Sequence, residues 1–418
     1  MRRNKKGWIL GGLFVLGFFL TPLFAQITVI KAGNLIDPAS GTVLTGQSIL
    51  IEGAKIKEIG PGIEIPDGAV VIDLSRMSVL PGLFDCHTHV ATNIKVTDDL
   101  SSRVMAYFLQ VTTLDRALEG VVVAQSFLDT GFTTLRDVGN AGHYADAAIK
   151  RAFIRGLFPG PTLLITGKII APFGGQYQAN YDHPEYPTVD YIYADTRDEM
   201  RKGIRENIHY GADWIKIVID DQRYIYSVDD IRFIVVEAEQ AGVKVCAHCV
   251  TEQGARNAVE AGVHSIEHGF VMSDALLKQT AEKGIWLVGT DFSKVVWEVY
   301  KQPHMYAKIV DRLQRAYRNG VRMAFGSDLI FDIPGYARGQ AALTLIDTWL
   351  DAGVPAPDIL KAFTSDAAEM LDMAEKRGAL KPGMAADIIA TPENPLENIK
   401  TLKKIGFVMK AGKVIRRP

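Results

Sequence analysis

The chain contains few cysteines and no large excess of either charge. Its cysteines are Cys86, Cys246 and Cys249 among 418 residues, and this odd, sparse set does not indicate a disulfide-stapled fold. The net charge is -2 at pH 7, so no basic excess predicts binding to nucleic acid or to an anionic membrane surface. The length instead allows a large hydrophobic core, more than one structural unit and a pocket for a small-molecule substrate.

The apolar run near the start is short for a membrane span. The basic MRRNKK is followed by GWILGGLFVLGFFL, and Pro22 follows that run, which is shorter than the roughly 20 residues that a bilayer requires. The segment ends in LFA before Gln26, a small-residue cleavage site. The pattern predicts a signal peptide over residues 1–25 and export to the periplasm or the extracellular space. No stable membrane association is expected after its removal, and an uncleaved anchor stays open as the alternative.

Both ends of the mature chain are rich in predicted strands. Residues 26–79 contain short alternating apolar runs separated by Gly, Pro and Asp, and residues 373–418 return to this pattern. Such runs are typical of strands joined by turns. We therefore expect the two ends to meet in one small all-β unit around a central domain over residues 80–372.

The central domain alternates between strand-like and helical stretches. Eight apolar strand cores, from SVLPGLFDCHTHV to RMAFGSD, are each followed by a loop or an amphipathic stretch. Alternation of this kind predicts parallel strands, and eight units favour an α/β fold of the (β/α)8 TIM-barrel type. A doubly wound open sheet is the alternative, but no Gly-x-Gly-x-x-Gly turn follows the first strand, so its dinucleotide-binding signature is missing.

Polar residues interrupt or end several of these apolar strands. In a barrel, catalytic groups lie at the carboxyl ends of different strands, and residues two apart on a strand share one face. The candidate metal ligands in these positions are His87, His89, Lys216, His248, His268 and Asp328. Each has an ordinary structural explanation alone, such as a core histidine or a helix cap, but their joint placement indicates a common site.

Together these six side chains suffice to hold two divalent ions. Imidazole and carboxylate suit zinc, with manganese or iron as alternatives. Two such ions can bind a bridging hydroxide and polarise a substrate. The lysine fits this set if CO2 converts Lys216 to a carbamate, because an anion can bridge two cations whereas an ammonium would repel them.

The motifs resemble those of the amidohydrolase superfamily. The similarity is carried by LPGLFDCHTHV, the lysine of DWIKI, VCAH, VHSIEHG and AFGSD, and it is strengthened by GFTTLRDVG and GMAADIIA. These phrases look most like the branch that holds Xaa-Pro dipeptidase-like and imidazolonepropionase-related hydrolases. The resemblance runs from about residue 27 to the C-terminus and implies a barrel set in a small β-sandwich that both chain ends build.

The resemblance also implies roles for the predicted ligands. It divides them between two ions, with His87, His89 and Asp328 on one, His248 and His268 on the other, and carboxylated Lys216 between them. Asp328 would in addition be the catalytic proton shuttle, which takes a proton from the attacking hydroxide and passes it to the leaving amine.

The chain departs from this branch in its predicted substrate pocket. Gln176 stands where many relatives carry a histidine, and Val250 stands where many carry tyrosine or histidine. Tyr224 and Tyr226 follow the fourth strand and could polarise the substrate carbonyl instead. We therefore expect all four positions to be substrate contacts.

The sequence leaves several activities open. Hydrolysis of an amide bond is the first hypothesis, with a dipeptide ending in proline or an N-acyl amino acid as substrate. The same two-metal centre would support hydrolysis of a lactone, a cyclic amide, a carbamate or a phosphotriester. A non-catalytic metal-binding scaffold is a third hypothesis, and a homo-oligomer is compatible with all three.

Overall fold

The structure is a computed structural model that describes residues 26–95, 106–107, 109–139, 142–176, 183 and 185–418. The predicted signal peptide at residues 1–25 lies outside this range. Within the described part of the chain, no helix is both long and apolar enough to cross a membrane.

Strands are found at both chain ends and throughout the central domain. They are β1 (Ile27–Asp37), β2 (Thr42–Glu52), β3 (Lys55–Gly60), β4 (Val70–Pro81), β5 (Leu83–Thr88), β6 (Phe132–Asp137), β7 (Thr162–Ile165), β8 (Ile169–Ala171), β9 (Tyr191–Tyr193), β10 (Trp214–Val218), β11 (Lys244–Cys249), β12 (Ser265–His268), β13 (Trp286–Val288), β14 (Ile388–Thr391), β15 (Phe407–Lys410) and β16 (Lys413–Arg416).

The helices lie in the central domain. They are α1 (Thr113–Asp129), α2 (Ala145–Ile154), α3 (Arg197–His209), α4 (Val228–Glu239), α5 (Glu252–Ala261), α6 (Asp274–Glu282), α7 (Lys294–Val299), α8 (Met305–Arg318), α9 (Arg338–Leu343), α10 (Ile346–Asp351), α11 (Ala356–Ala362) and α12 (Ser365–Met370). Several begin at a Ser or Thr whose hydroxyl accepts a backbone N–H of the first turn, as Thr251 does for α5, which satisfies a donor that the helix leaves unpaired.

The two chain ends form one seven-stranded sheet. Its strand order is β16-β15-β14-β4-β1-β2-β3, and β4 joins the ends by pairing parallel to β1 and antiparallel to β14. The apolar residues on the inner face, among them Ile30, Ile49 and Phe407, are fully buried. Strand β4 continues to Pro81, just past the predicted domain boundary at residue 79. The expected meeting of the two ends is therefore observed as a single sheet, and the sandwich arrangement remains a prediction.

The central domain is an α/β unit with parallel strands. One sheet has the order β5-β6-β7 and the other the order β13-β12-β11-β10-β8-β9. Backbone hydrogen bonds also link the edges of the two sheets through adjoining residues. The N–H of Asp213, just before β10, donates to the Ile165 carbonyl of β7 over 2.8 Å, and the Cys86 N–H of β5 donates to the carbonyl of Phe325, in the segment beside β13, over 2.8 Å. Because the strands are parallel, their carboxyl ends face the same side of the domain.

Two predicted strands take a different form. The run PTLLITGKII is split into β7 and β8, because Gly167 between them has a φ of +69° and leaves the extended backbone. The run RMAFGSD contains only an isolated bridge between Met323 and Leu287. It nevertheless lies beside β5 and β13, which places its last residue, Asp328, at the same end as the predicted ligands.

Candidate metal centre

All six predicted ligands line one cavity. The cavity has a volume of about 300 Å³ and lies at the carboxyl ends of the parallel strands. The residues come from β5 and the position after it, from β10, β11 and β12, and from the end of the 323–328 segment: His87, His89, Lys216, His248, His268 and Asp328. The period-two geometry of a strand brings His87 and His89 to the same side, and both are buried.

The first group of candidate ligands is compact. The Asp328 Oδ1 atom lies 3.1 Å from His89 Nε2 and 3.4 Å from His87 Nε2. Zinc–ligand bonds of 2.0–2.1 Å in a tetrahedron imply ligand–ligand separations of about 3.4 Å, so these spacings suit one divalent ion. His87 Nε2 is also buried without a hydrogen-bond partner among the described residues, as expected of a nitrogen that awaits a ligand.

The second group lies beside the first. The rings of His248 and His268 have centroids 4.4 Å apart, and His268 Nδ1 lies 3.6 Å from Asp328 Oδ2. The Asp221 carboxylate lies 2.8 Å from His248 Nε2, and Asp220, Asp221 and His248 form a second cluster with ligand atoms within 4.8 Å of one another. The sequence interpretation missed Asp221, although the paired acids that end VIDD stand at the carboxyl end of β10.

Lys216 is the least expected residue in this cavity. It is 1% exposed on the apolar strand β10, and no carboxylate of the described residues lies within 4.0 Å of its ammonium. Burying an unpaired ammonium costs several kcal/mol (~3 or more). The donor set as a whole fits two divalent cations.

Hydrogen bonds to groups outside the cavity lining hold the rings of His87 and His89 in orientation. His87 Nδ1 lies 2.6 Å from a Glu267 oxygen, and His89 Nδ1 lies 3.1 Å from the Gly139 carbonyl. A proton on each Nδ1 satisfies these contacts and leaves each Nε2 as the lone-pair nitrogen toward the cavity. This arrangement is the usual way in which proteins fix a metal-binding imidazole.

Glu267 is itself held by a buried arginine. Arg136 donates to Glu267 Oε1 over 2.7 Å, and both side chains are fully buried. The neighbouring Asp137 points to the opposite face of the strand, and its carboxylate accepts the backbone N–H groups of Val90 and Gly139.

Burial and neighbouring charges set the protonation states of the site. Burial, followed by the charge of Lys216, lowers the pKa of His87 to about 4, and burial holds the pKa of His268 well below its usual value. Burial pushes the pKa of Asp328 upward, but His87 and His89 outweigh it and hold that pKa below its usual value. Neutral imidazoles and an ionised carboxylate are the states that bind divalent metals.

The backbone is strained at the same place. His268, Asp328, Asp221 and Thr290 have φ values of +71°, +50°, +82° and +49°, in the left-handed region that side chains other than Gly rarely adopt. The Thr290 hydroxyl lies 2.9 Å from His268 Nδ1 and so holds that ring. Strain of this kind is typical of functional sites.

Two of the four predicted substrate contacts lie at the cavity. Gln176 and Val250 line it, and the Gln176 amide donates to Asp221 Oδ2 over 3.1 Å. Tyr224 and Tyr226 do not line it. Tyr224 is 75% exposed, and the buried Tyr226 hydroxyl donates to the Ala194 carbonyl over 2.6 Å. The expectation that these two tyrosines contact the substrate is therefore not met by the cavity lining.

Aromatic side chains form the opposite wall of the cavity. Phe270, Phe292, Trp297 and Tyr300 line it, and the Phe292 and Trp297 rings pack edge to face with centroids 5.1 Å apart. Phe270 lies next to His268, with a centroid separation of 5.4 Å. The sequence interpretation missed this wall, because it is assembled from the second residue after β12, the loop after β13, helix α7 and the residue that follows α7.

Comparisons with known proteins agree with this site. Residues 78–415 match the amidohydrolase family profile. The chain is 28% identical to an ochratoxinase of Aspergillus niger, over 94% of this chain and 88% of that protein. It is also similar to the crystal structure of a Xaa-Pro dipeptidase with bound methionine, with 28% identity, a TM-score of 0.83 and coverage of 94% of this chain and 100% of the other.

A second solved structure gives the same result. A prolidase in complex with N-methylphosphonate-L-proline is 27% identical and has a TM-score of 0.81, again over 94% of this chain and 100% of the other. Members of the matched family generally bind divalent metals and act on small molecules, which agrees with the buried histidine and carboxylate cluster. The chain belongs to the amidohydrolase family and is a hydrolase that acts on carbon–nitrogen bonds.

Proposed function

We propose that this protein is a two-metal hydrolase that cleaves the amide bond of a dipeptide with C-terminal proline or of an N-acyl amino acid. The observation that carries the proposal is the convergence of the four imidazoles, the lysine and the Asp328 carboxylate on a single cavity. The dipeptidase and prolidase likenesses support a peptide-like substrate. The volume of about 300 Å³ suits a small molecule.

The proposed ligand division follows the two groups in the cavity. His87, His89 and Asp328 would hold one ion, and His248 and His268 would hold the other. Carboxylated Lys216 would bridge the two, which removes an unpaired buried ammonium and supplies an anion. We propose zinc as the native metal, because imidazole and carboxylate donors suit it.

The chain's own residues then perform the proton transfers. When bound, the ions would supply a water of lowered pKa and polarise the scissile carbonyl. Asp328 is ionised and lines the cavity, so it can accept the proton of the attacking water and deliver it to the leaving nitrogen. Gln176, Val250 and the aromatic wall would orient the substrate and exclude bulk water.

We further propose that the eight parallel strand segments close into a barrel and that the chain-end sheet completes a sandwich, with the domain boundaries predicted above. The hydrogen bonds from Cys86 to Phe325 and from Asp213 to Ile165 support closure. The basic and apolar start of the chain supports export as a periplasmic or extracellular protein. Recovery of the mature protein outside the cytoplasm, with its N-terminus at Gln26, would test export.

A substrate panel tests the proposed activity. Zinc-loaded and chelator-treated protein should be compared on Xaa-Pro dipeptides, N-acyl amino acids, lactones, cyclic amides, carbamates and a phosphotriester. We expect metal-dependent hydrolysis of the dipeptides or acyl amino acids. A preference for lactones or phosphotriesters would replace the amide assignment, and inactivity on every compound despite bound metal would favour a non-catalytic scaffold.

A further inference from the structure

Asp221 is a charged side chain that the proposed chemistry does not use. It lines the catalytic cavity, its side chain is 30% exposed, and its backbone has a φ of +82°. The other charged lining residues, Lys216 and Asp328, are assigned to the metals. Among the lining residues that the structure describes, Asp221 is therefore the charged side chain that remains available to bind a substrate.

The contacts of Asp221 leave one oxygen available. Its Oδ2 atom takes both contacts, 3.1 Å from the Gln176 amide nitrogen and 2.8 Å from His248 Nε2. Its Oδ1 atom accepts no hydrogen bond from the described residues. Gln176 thus holds the carboxylate in place, and the free oxygen is suited to a donor that enters the cavity.

Asp221 lies close enough to the candidate metal ligands to contact the α-nitrogen of a bound dipeptide. Asp221 contacts His248, the His248 ring lies 4.4 Å from that of His268, and His268 lies 3.6 Å from Asp328. In a dipeptide the α-nitrogen is two bonds, or about 2.5 Å, from the scissile carbonyl carbon. A group that binds this nitrogen must therefore stand beside the reacting centre, as Asp221 does.

We infer that Asp221 binds the protonated α-amine of the substrate and makes the enzyme select dipeptides with a free N-terminus over N-acylated compounds. This inference rests on the proposed amide hydrolysis and chooses between the two substrate classes given there. A basic side chain on the substrate offers the same ammonium chemistry, so the test must separate it from the α-amine.

The test compares substrates that differ in one amine. Phe-Pro is compared with 3-phenylpropionyl-proline, which lacks only the amine, with N-acetyl-Phe-Pro, and with N-acetyl-Lys-Pro, which carries its cation on the side chain. A charge-assisted hydrogen bond predicts that kcat/KM for Phe-Pro exceeds that for the compound without the amine by about 10- to 100-fold. N-acetyl-Lys-Pro should be as poor as N-acetyl-Phe-Pro.

Two variants connect this preference to Asp221. Asp221→Asn keeps the shape but loses the charge, and it should reduce the preference for the amine to about threefold or less while metal content stays the same. Asp229→Asn is the matched control, since Asp229 is an exposed acid outside the cavity, and it should leave the preference unchanged.

Several results would overturn the inference. They are equal wild-type rates with and without the amine, an intact preference in Asp221→Asn, high activity on N-acetyl-Lys-Pro, or loss of one metal ion in Asp221→Asn, which would make Asp221 a ligand. Failure of the proposed function looks different, because the zinc-loaded wild type would then hydrolyse none of these four proline compounds.

Discussion

Replacement of Glu267 by Gln would change the site without touching the cavity lining. The Glu267 carboxylate accepts hydrogen bonds from His87 Nδ1 over 2.6 Å and from Arg136 over 2.7 Å, and the side chains of both His87 and Arg136 are buried. A glutamine can still accept from Arg136, but its amide would then face His87 as a donor. This favours the His87 tautomer that carries its proton on Nε2, the nitrogen assigned to the metal.

The substitution should lower both the metal affinity and the unfolding free energy of the protein. Weakening of a metal-supporting hydrogen bond costs about 10- to 100-fold in metal affinity. Removal of one partner from a buried ion pair costs about 3–5 kcal/mol of unfolding free energy. Arg136 keeps its bonds to the Cys86 carbonyl and the Ser265 hydroxyl, so we expect a loss near the lower value, about 3 kcal/mol.

The assay measures zinc affinity by competition with a chelator and the stability of the metal-free protein by urea unfolding. Glu237→Gln is the matched control, because Glu237 also pairs with two arginines, Arg201 and Arg205, whose side chains are 35% and 67% exposed rather than buried. Solvent screening of these arginines limits each pair to about 1 kcal/mol or less. If Glu267→Gln matched this control in both zinc affinity and stability, the assigned role of Glu267 would be refuted.

Four further predictions concern the cavity and the chain-end sheet. Lys216→Ala should lose metal and activity, with partial recovery on addition of short carboxylic acids that replace the carbamate; unchanged activity would contradict a bridging role. Asp328→Asn should lower kcat by about 100-fold or more while much of the metal remains bound, as measured by steady-state kinetics and metal analysis; surviving turnover would exclude it as the proton shuttle. Trp297→Ala should raise KM by about tenfold, since an aromatic contact of about 1–2 kcal/mol is lost, and an unchanged KM would remove Trp297 from the substrate wall. Burial lowers the pKa of Lys410 from 10.5 to about 8, so between these pH values the unfolded chain binds more protons than the folded chain. The unfolding free energy of the wild type, measured relative to that of Lys410→Met, should therefore rise across this pH range. If urea unfolding gave a difference in unfolding free energy that did not change with pH, the shift would be contradicted.

The strand-end residues could be grouped from the sequence, because their signals are local. Histidines two apart at the end of an apolar run, and a lysine inside one, stand out against their neighbours. Parallel strands then bring such residues to one side of the domain whatever the detailed packing. This is why six residues spread from His87 to Asp328 could be grouped before the fold was known, and why the structure finds them around one cavity.

The residues that sequence reasoning missed depend on distant contacts. Arg136 and Glu267 are 131 positions apart, and no local pattern pairs them. Tyr224 and Tyr226 lie outside the cavity lining in the loop between β10 and α4, and no local sequence pattern gives the path of that loop. The aromatic wall arises only when the segment that carries Phe270 packs beside α7.

We propose that two divalent ions in this cavity make the protein an amide hydrolase. A titration of metal-free protein with zinc in the presence of bicarbonate, monitored by hydrolysis of an Xaa-Pro dipeptide, tests this proposal. We expect activity to rise from the metal-free baseline and to reach its plateau at two zinc ions per chain. Full activity without metal, or a plateau at less than one ion per chain, would refute the two-metal mechanism.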